Sequence, residues 1–279
     1  MTNKGWIALD IDGTITLDKY SVPDEVTAYL RSLALDGWRI AMATGRPYAF
    51  ALKALSEFDF PYFFLAQNGS AVLEMPGKQL LFKRYLSESA IAIVEKAYEG
   101  IDSDFLVYSG YEKGDFCYFR PHRMSEEDLL YIEDLKKRQK EEWKAVERFE
   151  IDSFPLIKCF GSLPRMKKVA ERLSASGRFQ VALIRDPFHE NFVIILVTEK
   201  NASKGLSLEE VFRKKGRGGL VIAAGDDEND ISLLKAADVK IAMAHAPETL
   251  QEAADYIAPP TKEHGIIKAL QLAIRTHVR

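Results

Sequence analysis

The most constraining feature of this sequence is a short apolar run that stops abruptly at two carboxylates. Residues 6–9 have the character of a buried strand, and Asp10 and Asp12 follow at once. Two carboxylates at the end of a buried strand repel each other and lose solvation. A bound divalent cation would offset both costs, and Mg²⁺ prefers such oxygen ligands. The pair can also act as nucleophile and proton carrier. The plainer alternative is that both aspartates cap the next turn.

The next two apolar runs along the chain repeat this pattern. Residues 38–43 end at Thr44-Gly45-Arg46, and residues 61–66 end at Gln67-Asn68-Gly69. Strands that are apolar throughout and alternate with helices predict a parallel sheet covered on both faces. Ligands bind at the carboxyl edge of such sheets, so the polar residues that follow each strand are candidates for a site.

The pattern returns near the end of the chain. Lys204 begins a predicted helix, and the apolar run 220–224 ends in a polar segment, residues 225–230. The middle of the chain has its own alternation of strands and helices, including a long charged helix predicted for residues 125–148. We therefore predict an α/β fold. It has a Rossmann-like parallel-sheet core, residues 1–84 and 191–279, and an inserted α/β domain, residues 85–190.

Composition excludes several classes of protein. The net charge is −3 over 279 residues, which argues against a nucleic-acid binder. A basic run at residues 136–140 is balanced by neighbouring acids, which favours a solvated helix face. No apolar stretch is long enough to cross a membrane, and the chain enters its first strand too early for a signal peptide. We expect a cytoplasmic protein with two ordinary free thiols, Cys117 and Cys159.

Taken together, four of these segments resemble the motifs of the haloacid dehalogenase-like phosphohydrolases, in the same order. They are Asp10-Ile11-Asp12-Gly13-Thr14, Ala43-Thr44-Gly45-Arg46, Lys204 and Gly225-Asp226-Asp227-Glu228-Asn229-Asp230. Gln67-Asn68-Gly69 is similar to the Cof-type branch, in which the inserted domain is a type IIB cap. The resemblance implies that this domain lies over the active site and selects the substrate. His245 departs from it, because the branch usually has an asparagine there.

The resemblance also implies a role for each residue. It implies that Asp10, Asp226 and the backbone carbonyl of Asp12 bind Mg²⁺, and that Asp230 or Asn229 supports them. Asp10 would attack phosphorus, while Asp12 would protonate the leaving group and then deprotonate water. The residues expected to bind substrate are Thr44, Gly45, Arg46, Asn68, Lys204 and Asn229.

Several residues have plainer alternative roles. Thr44 alone could cap a helix, Lys204 alone could be a surface lysine, and Arg46 could pair with an acid instead of a phosphate. In the inserted domain, Arg120 or Arg123 could reach a substrate anion. The histidines show no metal-ligand spacing, so they are expected on the surface or in loops.

These observations predict a Mg²⁺-dependent phosphatase that hydrolyses a small phosphorylated metabolite, most often a sugar phosphate in the family that it resembles. One alternative is a phosphomutase, which returns the phosphoryl group to its substrate. Another is a non-catalytic protein that binds phosphorylated metabolites. The sequence determines neither the substrate nor the oligomeric state.

Overall fold

The computed structural model describes residues 4–18, 20–139, 142–186 and 189–278. The chain divides into two compact units. The core unit contains the residues up to Arg46, then Ala51–Lys83, and the chain from Ser203 onwards. The inserted unit contains Pro47–Phe50 and Arg84–Ala202. In the described ranges, none of the helices has both the length and the apolar composition that crossing a membrane requires.

The strands are numbered in chain order. They are β1 (Gly5–Asp10), β2 (Trp38–Ala43), β3 (Tyr62–Ala66), β4 (Ala71–Met75), β5 (Gln79–Lys83), β6 (Leu86–Ser87), β7 (Leu106–Tyr108), β8 (Cys117–Phe119), β9 (Trp143–Ala145), β10 (Ser153–Phe154), β11 (Leu156–Ser162), β12 (Phe179–Arg185), β13 (Phe192–Glu199), β14 (Leu220–Gly225), β15 (Val239–Met243) and β16 (Tyr256–Ala258).

The α-helices are numbered in the same way. They are α1 (Asp24–Leu35), α2 (Tyr48–Ala54), α3 (Ser89–Ala97), α4 (Glu126–Gln139), α5 (Leu163–Ala175), α6 (Lys204–Lys215), α7 (Ile231–Lys235), α8 (Glu248–Glu252) and α9 (Gly265–His277).

The core unit is built on one eight-stranded sheet in the order β16-β15-β14-β1-β2-β3-β4-β5. The pairings from β16 through β3 are parallel, and β4 and β5 extend the sheet as an antiparallel hairpin. All six residues of β1, at the centre of the sheet, are buried. Such continuous apolar strands are stable where helices cover both faces of a parallel sheet. The predicted α/β fold with a parallel-sheet core is confirmed.

The inserted unit has a six-stranded sheet in the order β12-β13-β11-β7-β8-β9. All its pairings are antiparallel except that of β8 with β9. One hydrophobic cluster joins α3 and α5 to this sheet, through residues such as Val94 and Met166. A second cluster, which includes Ile132 and Leu135 of α4, lies among strand residues such as Leu156 and Phe160. The inserted unit therefore has a hydrophobic core of its own.

The structure differs from two sequence-based boundaries. The predicted domain boundary at residue 191 is early, because β13 pairs with β11 and β12 and so belongs to the inserted unit, which continues to Ala202. The predicted helix 125–148 is too long. It ends at Gln139, and residues 143–145 form β9, where Trp143 packs its ring against Phe119 with centroids 6.1 Å apart. Lys140 and Glu141, which the prediction included, lie outside the described residues.

Candidate active site

Four loops of the core unit follow neighbouring parallel strands and therefore meet at one edge of the sheet. They come after β1, β2, β3 and β14, and they carry most of the residues predicted to form the site. Backbone hydrogen bonds join two of these loops: Asn68 N donates to the Thr44 carbonyl at 2.7 Å, and Gln67 N donates to that of Arg46 at 3.2 Å. The polar residues after separate strands are thus brought together, as the sequence pattern predicted.

A buried lysine lies at the centre of this edge. Lys204 is the first residue of α6, whose N-cap residue Ser203 accepts a hydrogen bond from Leu206 N at 3.2 Å. The Lys204 ammonium donates to Oδ1 of Asp10 and to Oδ1 of Asp230, both at 2.6 Å. Its side chain is 1% exposed, which excludes the alternative that it is an ordinary surface lysine. Burial acts to lower the pKa of Lys204, but the two carboxylates raise it above its ordinary value.

Asp230 has a structural contact for each of its two oxygens. Oδ1 accepts from Lys204, while Oδ2 accepts from the backbone N–H groups of Asp226 and Asp227 at 3.0 and 3.2 Å. Gly225 permits this close approach, because a Cβ atom there would overlap the Asp230 side chain. Asp230 therefore fixes both the loop after β14 and the position of the lysine.

Three carboxylates form a cluster that suits a divalent cation. Asp10, Asp226 and Asp230 each offer one oxygen, and these atoms all lie within 4.8 Å of one another. Asp10 Oδ2 is buried and has no hydrogen-bond partner in the described part of the chain. Three negative charges face a single ammonium, and the donors are all oxygen, the set that Mg²⁺ prefers. These residues fit a hard divalent cation.

The acidities of the cluster support the same interpretation. Burial raises the pKa of Asp10 well above its ordinary value; Lys204 opposes this shift, and Asp230 and Asp226 add to it. Burial and the neighbouring Asp230 likewise raise the pKa of Asp226. The folded chain therefore pays a free-energy cost to keep these carboxylates ionised, and a cation at this position would offset it.

Asp12 lies beside the cluster and pairs with an arginine. Arg46 Nε donates to Asp12 Oδ2 at 2.6 Å, and its Nη2 group donates to Oδ1, which makes a bidentate ion pair. The arginine side chain is buried, whereas that of Asp12 is about one-third exposed. Of the two roles considered for Arg46, the structure shows the pairing with an acid. A carboxylate that is both oriented and accessible is well placed to transfer protons.

The remaining predicted residues surround these groups. Thr44 is fully buried, and its hydroxyl accepts from Arg46 N at 3.0 Å across Gly45, so it stabilises the turn. The helix that follows begins only at Tyr48. Asn68 has a left-handed backbone with φ of 58°, and its Oδ1 lies 3.5 Å from Nδ2 of Asn229. The two amides thus connect the loops after β3 and β14.

Sequence reasoning missed one contact, and the structure does not support one option that it left open. His245 follows β15, and its Nε2 lies 3.1 Å from Oδ2 of Asp226. The sequence did carry a signal for this contact, because His245 follows β15, which is one more parallel strand that ends at the same edge. Arg120 does not reach out for an anion, since it is buried in ion pairs with Asp104 and Glu95. Arg123 is 44% exposed and also contacts Glu95, at 3.0 Å.

A parallel α/β sheet with acidic groups and a buried lysine at its carboxyl edge is what the motif resemblance implies for this chain, and comparison with known proteins agrees. Residues 7–270 match the family model of the haloacid dehalogenase-like hydrolases. The chain belongs to this family, which confirms the resemblance found in its motifs. It is therefore an enzyme of the hydrolase class.

Individual relatives match over nearly their whole length. A putative phosphatase of Bacillus subtilis, YxeH, is 24% identical over 95% of this chain and 96% of its own length. A phosphoglycolate phosphatase of Archaeoglobus fulgidus is 25% identical, with 95% of each chain covered. The structure of BT4131, described as a subclass IIB sugar phosphatase, superposes with a TM-score of 0.75 at 22% identity, covering 96% of this chain and 98% of the other.

Proposed function

We propose that this hydrolase is a Mg²⁺-dependent phosphatase that cleaves a small phosphorylated metabolite through an aspartyl-phosphate on Asp10. One observation carries the proposal. Lys204 holds one oxygen of Asp10, the other oxygen is buried without a partner among the described residues, and the Asp10 carboxylate belongs to the cluster with Asp226 and Asp230. A carboxylate fixed in this way has one oxygen available for a reacting group or a cation.

The names of the relatives support the same activity. They include phosphoglycolate phosphatases, a putative phosphatase and a sugar phosphatase. Two further Bacillus subtilis relatives are named as phosphatases of 5-amino-6-(5-phospho-D-ribitylamino)uracil. All these named substrates are small phosphate monoesters. We therefore propose a substrate of that class, with sugar phosphates first.

We assign each step of the proposed reaction to a residue. An oxygen of Asp10 attacks phosphorus, the bond from phosphorus to the leaving oxygen breaks, and protonated Asp12 supplies a proton to that oxygen. Asp12 then takes a proton from water, whose oxygen attacks the aspartyl-phosphate and releases phosphate. This second step regenerates Asp10. Arg46 keeps the Asp12 carboxylate oriented through the bidentate pair.

The remaining groups bind and align the phosphate. Lys204 carries the positive charge beside Asp10, which lets an anionic nucleophile approach an anionic substrate. Mg²⁺, held by Asp10, Asp226 and the Asp12 carbonyl with support from Asp230, would supply charge neutralisation when bound. The loop of Thr44 and Gly45, together with the amides of Asn68 and Asn229, would position the phosphoryl oxygens.

The inserted unit is proposed to be the cap that selects the substrate. Support comes from its separate core and from the family resemblance, in which an α/β insertion at this point has that role. A cytoplasmic location remains a prediction.

The proposal is tested by measuring phosphate release from phosphoglycolate and a panel of hexose, pentose and cofactor phosphates. Each is assayed with Mg²⁺ and with excess chelator, and Asp10→Asn serves as the matched inactive control. We expect release that requires the metal and favours a few substrates. Transfer of the phosphoryl group to another position of the substrate, without release, would identify a phosphomutase. Binding without either reaction would identify a non-catalytic protein.

A further inference from the structure

We propose that His245 is a positioning residue of the cation site, which holds Asp226 so that its carboxylate binds the ion. The inference deepens the proposed function and depends on the cation site described there. It concerns a residue at which this chain departs from the branch that it resembles. The distance that motivates it is 3.1 Å, between His245 Nε2 and Asp226 Oδ2.

The turn that carries His245 is fixed by hydrogen bonds on both sides of the residue. Gln251 of α8 donates from Nε2 to the carbonyls of Ala244 and Ala246, at 3.1 and 2.9 Å. The Ala244 N–H donates to the Ala258 carbonyl of the neighbouring strand at 3.0 Å. The imidazole is therefore presented from a rigid turn, although its side chain is 48% exposed.

A third loop packs against the pair formed by His245 and Asp226. Gly13, in the turn after β1, has φ of +69°, and a Cβ atom there would overlap Asp226 Oδ2 and come within 3.0 Å of His245 Nε2. The carbonyl of Gly13 accepts a hydrogen bond from the Thr261 hydroxyl. Loops that follow three strands thus meet at the contact between the two side chains, so the pair has a fixed neighbour in Gly13 although the imidazole is partly exposed.

The chemistry of the contact determines its role. When an ion is bound, Asp226 is a carboxylate that can only accept, so His245 Nε2 must carry a hydrogen and donate it. His245 is not part of the three-carboxylate cluster, so it acts through Asp226 and not as a ligand of the cluster. Hydrogen bonds of this kind orient metal ligands, and removing the partner typically costs about 10–100-fold in metal affinity.

The test measures cation binding and needs no substrate. Mn²⁺ is titrated into the protein at fixed pH, and the free ion is followed by its electron paramagnetic resonance signal. We expect His245→Ala to raise the Kd for Mn²⁺ about tenfold. His245→Gln should bind more tightly than His245→Ala, because its Nε2 amide places a donor the same number of bonds from Cα. His122→Ala is the matched control, since His122 is 46% exposed and also faces a carboxylate, that of Glu147 at 3.6 Å.

The outcomes separate this inference from the proposed function. A His245→Ala protein that binds Mn²⁺ as tightly as the unchanged chain would overturn the positioning role and leave the cation site intact. The role also fails if His245→Gln binds as weakly as His245→Ala, because the loss would then come from the packing of the ring. If the Asp226→Asn variant binds Mn²⁺ as tightly as the unchanged chain does, the cation site and the inference fail together.

Discussion

Each unit of this protein contains a buried cluster in which one positively charged side chain lies between carboxylates. In the inserted unit, Arg120 donates to both oxygens of Asp104, at 2.7 and 2.8 Å, and also to Glu95. Its guanidinium lies over the rings of Phe105 and Phe149. In the core unit, Lys204 donates to one oxygen each of Asp10 and Asp230. Both cations are almost completely buried.

The two clusters differ in what they leave unsatisfied. Both oxygens of Asp104 have a partner, and Arg120 uses three of its nitrogens, Nε and Nη2 to Asp104 and Nη1 to Glu95, in a geometry that suits its planar group. Asp10 Oδ2 has no partner in the described chain, and a third carboxylate, that of Asp226, lies within the same cluster. The Arg120 cluster is balanced in the sense that both oxygens of its buried Asp104 are paired, so breaking it would leave a buried charge, whereas excess negative charge with an unsatisfied oxygen indicates a ligand site.

The largest expected effect comes from removing the excess charge. Asp10→Asn keeps the shape of the side chain but loses the nucleophile, so phosphate release should fall by at least about 10⁴-fold. The free energy of unfolding, measured without metal, should not fall, because one of three repelling carboxylates is neutralised. Urea unfolding followed by circular dichroism checks the second point. Undiminished turnover by this variant would exclude Asp10 as the nucleophile.

Removing the charged side chain of the balanced cluster should lower stability without changing the rate of phosphate release. Arg120→Leu leaves Asp104 buried without its cation, so unfolding should become easier by about 3 kcal/mol or more. Arg123→Leu is the matched control: Arg123 also contacts Glu95 but its side chain is 44% exposed, so the cost should be about 1 kcal/mol or less. Denaturant unfolding of both variants measures the difference. Equal losses would mean that burial does not distinguish the two arginines.

Metal removal should destabilise the core unit through the site cluster. A cation at 100 times its Kd stabilises the folded state by about 2.7 kcal/mol, so Mg²⁺ should raise the melting temperature of the unchanged chain. Asp226→Asn should lose this response. Arg120→Leu should retain it, because its cluster lies in the other unit and the oxygens of Asp104 are already paired. Calorimetric melting with Mg²⁺ and with chelator tests all three.

The sign of the pH dependence follows from the raised pKa values of Asp10 and Asp226. From the ordinary aspartate range near pH 4 upward, the folded chain holds protons that the unfolded chain has already lost, so metal-free stability falls as pH rises. A bound Mg²⁺ would replace these protons. Its stabilising effect should therefore be larger at about pH 8 than at about pH 5. A smaller effect at the higher pH would contradict the raised pKa values of Asp10 and Asp226.

The sequence contained most of the information about which residues meet at the site, because parallel strands all end at the same edge of a sheet. Asp10, Thr44, Asn68 and Asp226 each follow a continuous apolar strand, and parallel strands bring their carboxyl ends to one edge. Local pattern was sufficient for this result.

Side-chain partners and strand pairing were not predictable in the same way. The apolar run of β13 has the same appearance whether it joins a parallel or an antiparallel sheet, so only its pairing with β11 and β12 shows the true boundary. Likewise, a sequence motif shows Arg46 near a phosphate site but not whether it contacts the phosphate or Asp12. Such choices depend on contacts between distant segments.

The smallest expected effect concerns Arg46, whose pair with Asp12 is intermediate between the two clusters: bidentate like that of Arg120, but with a partly exposed carboxylate. If Arg46 orients Asp12, then Arg46→Ala should lower kcat about tenfold, a part of what general acid–base catalysis contributes, with little change in KM. Arg46→Lys should restore little, because an ammonium cannot reproduce the bidentate geometry. Arg31→Ala is the control, since it removes an exposed arginine–aspartate pair of the same unit.

A rise in KM at unchanged kcat would instead show that Arg46 binds the substrate phosphate, the role first expected for it. Steady-state kinetics on the preferred substrate therefore decide between a charge that organises the catalytic acid and one that holds the ligand.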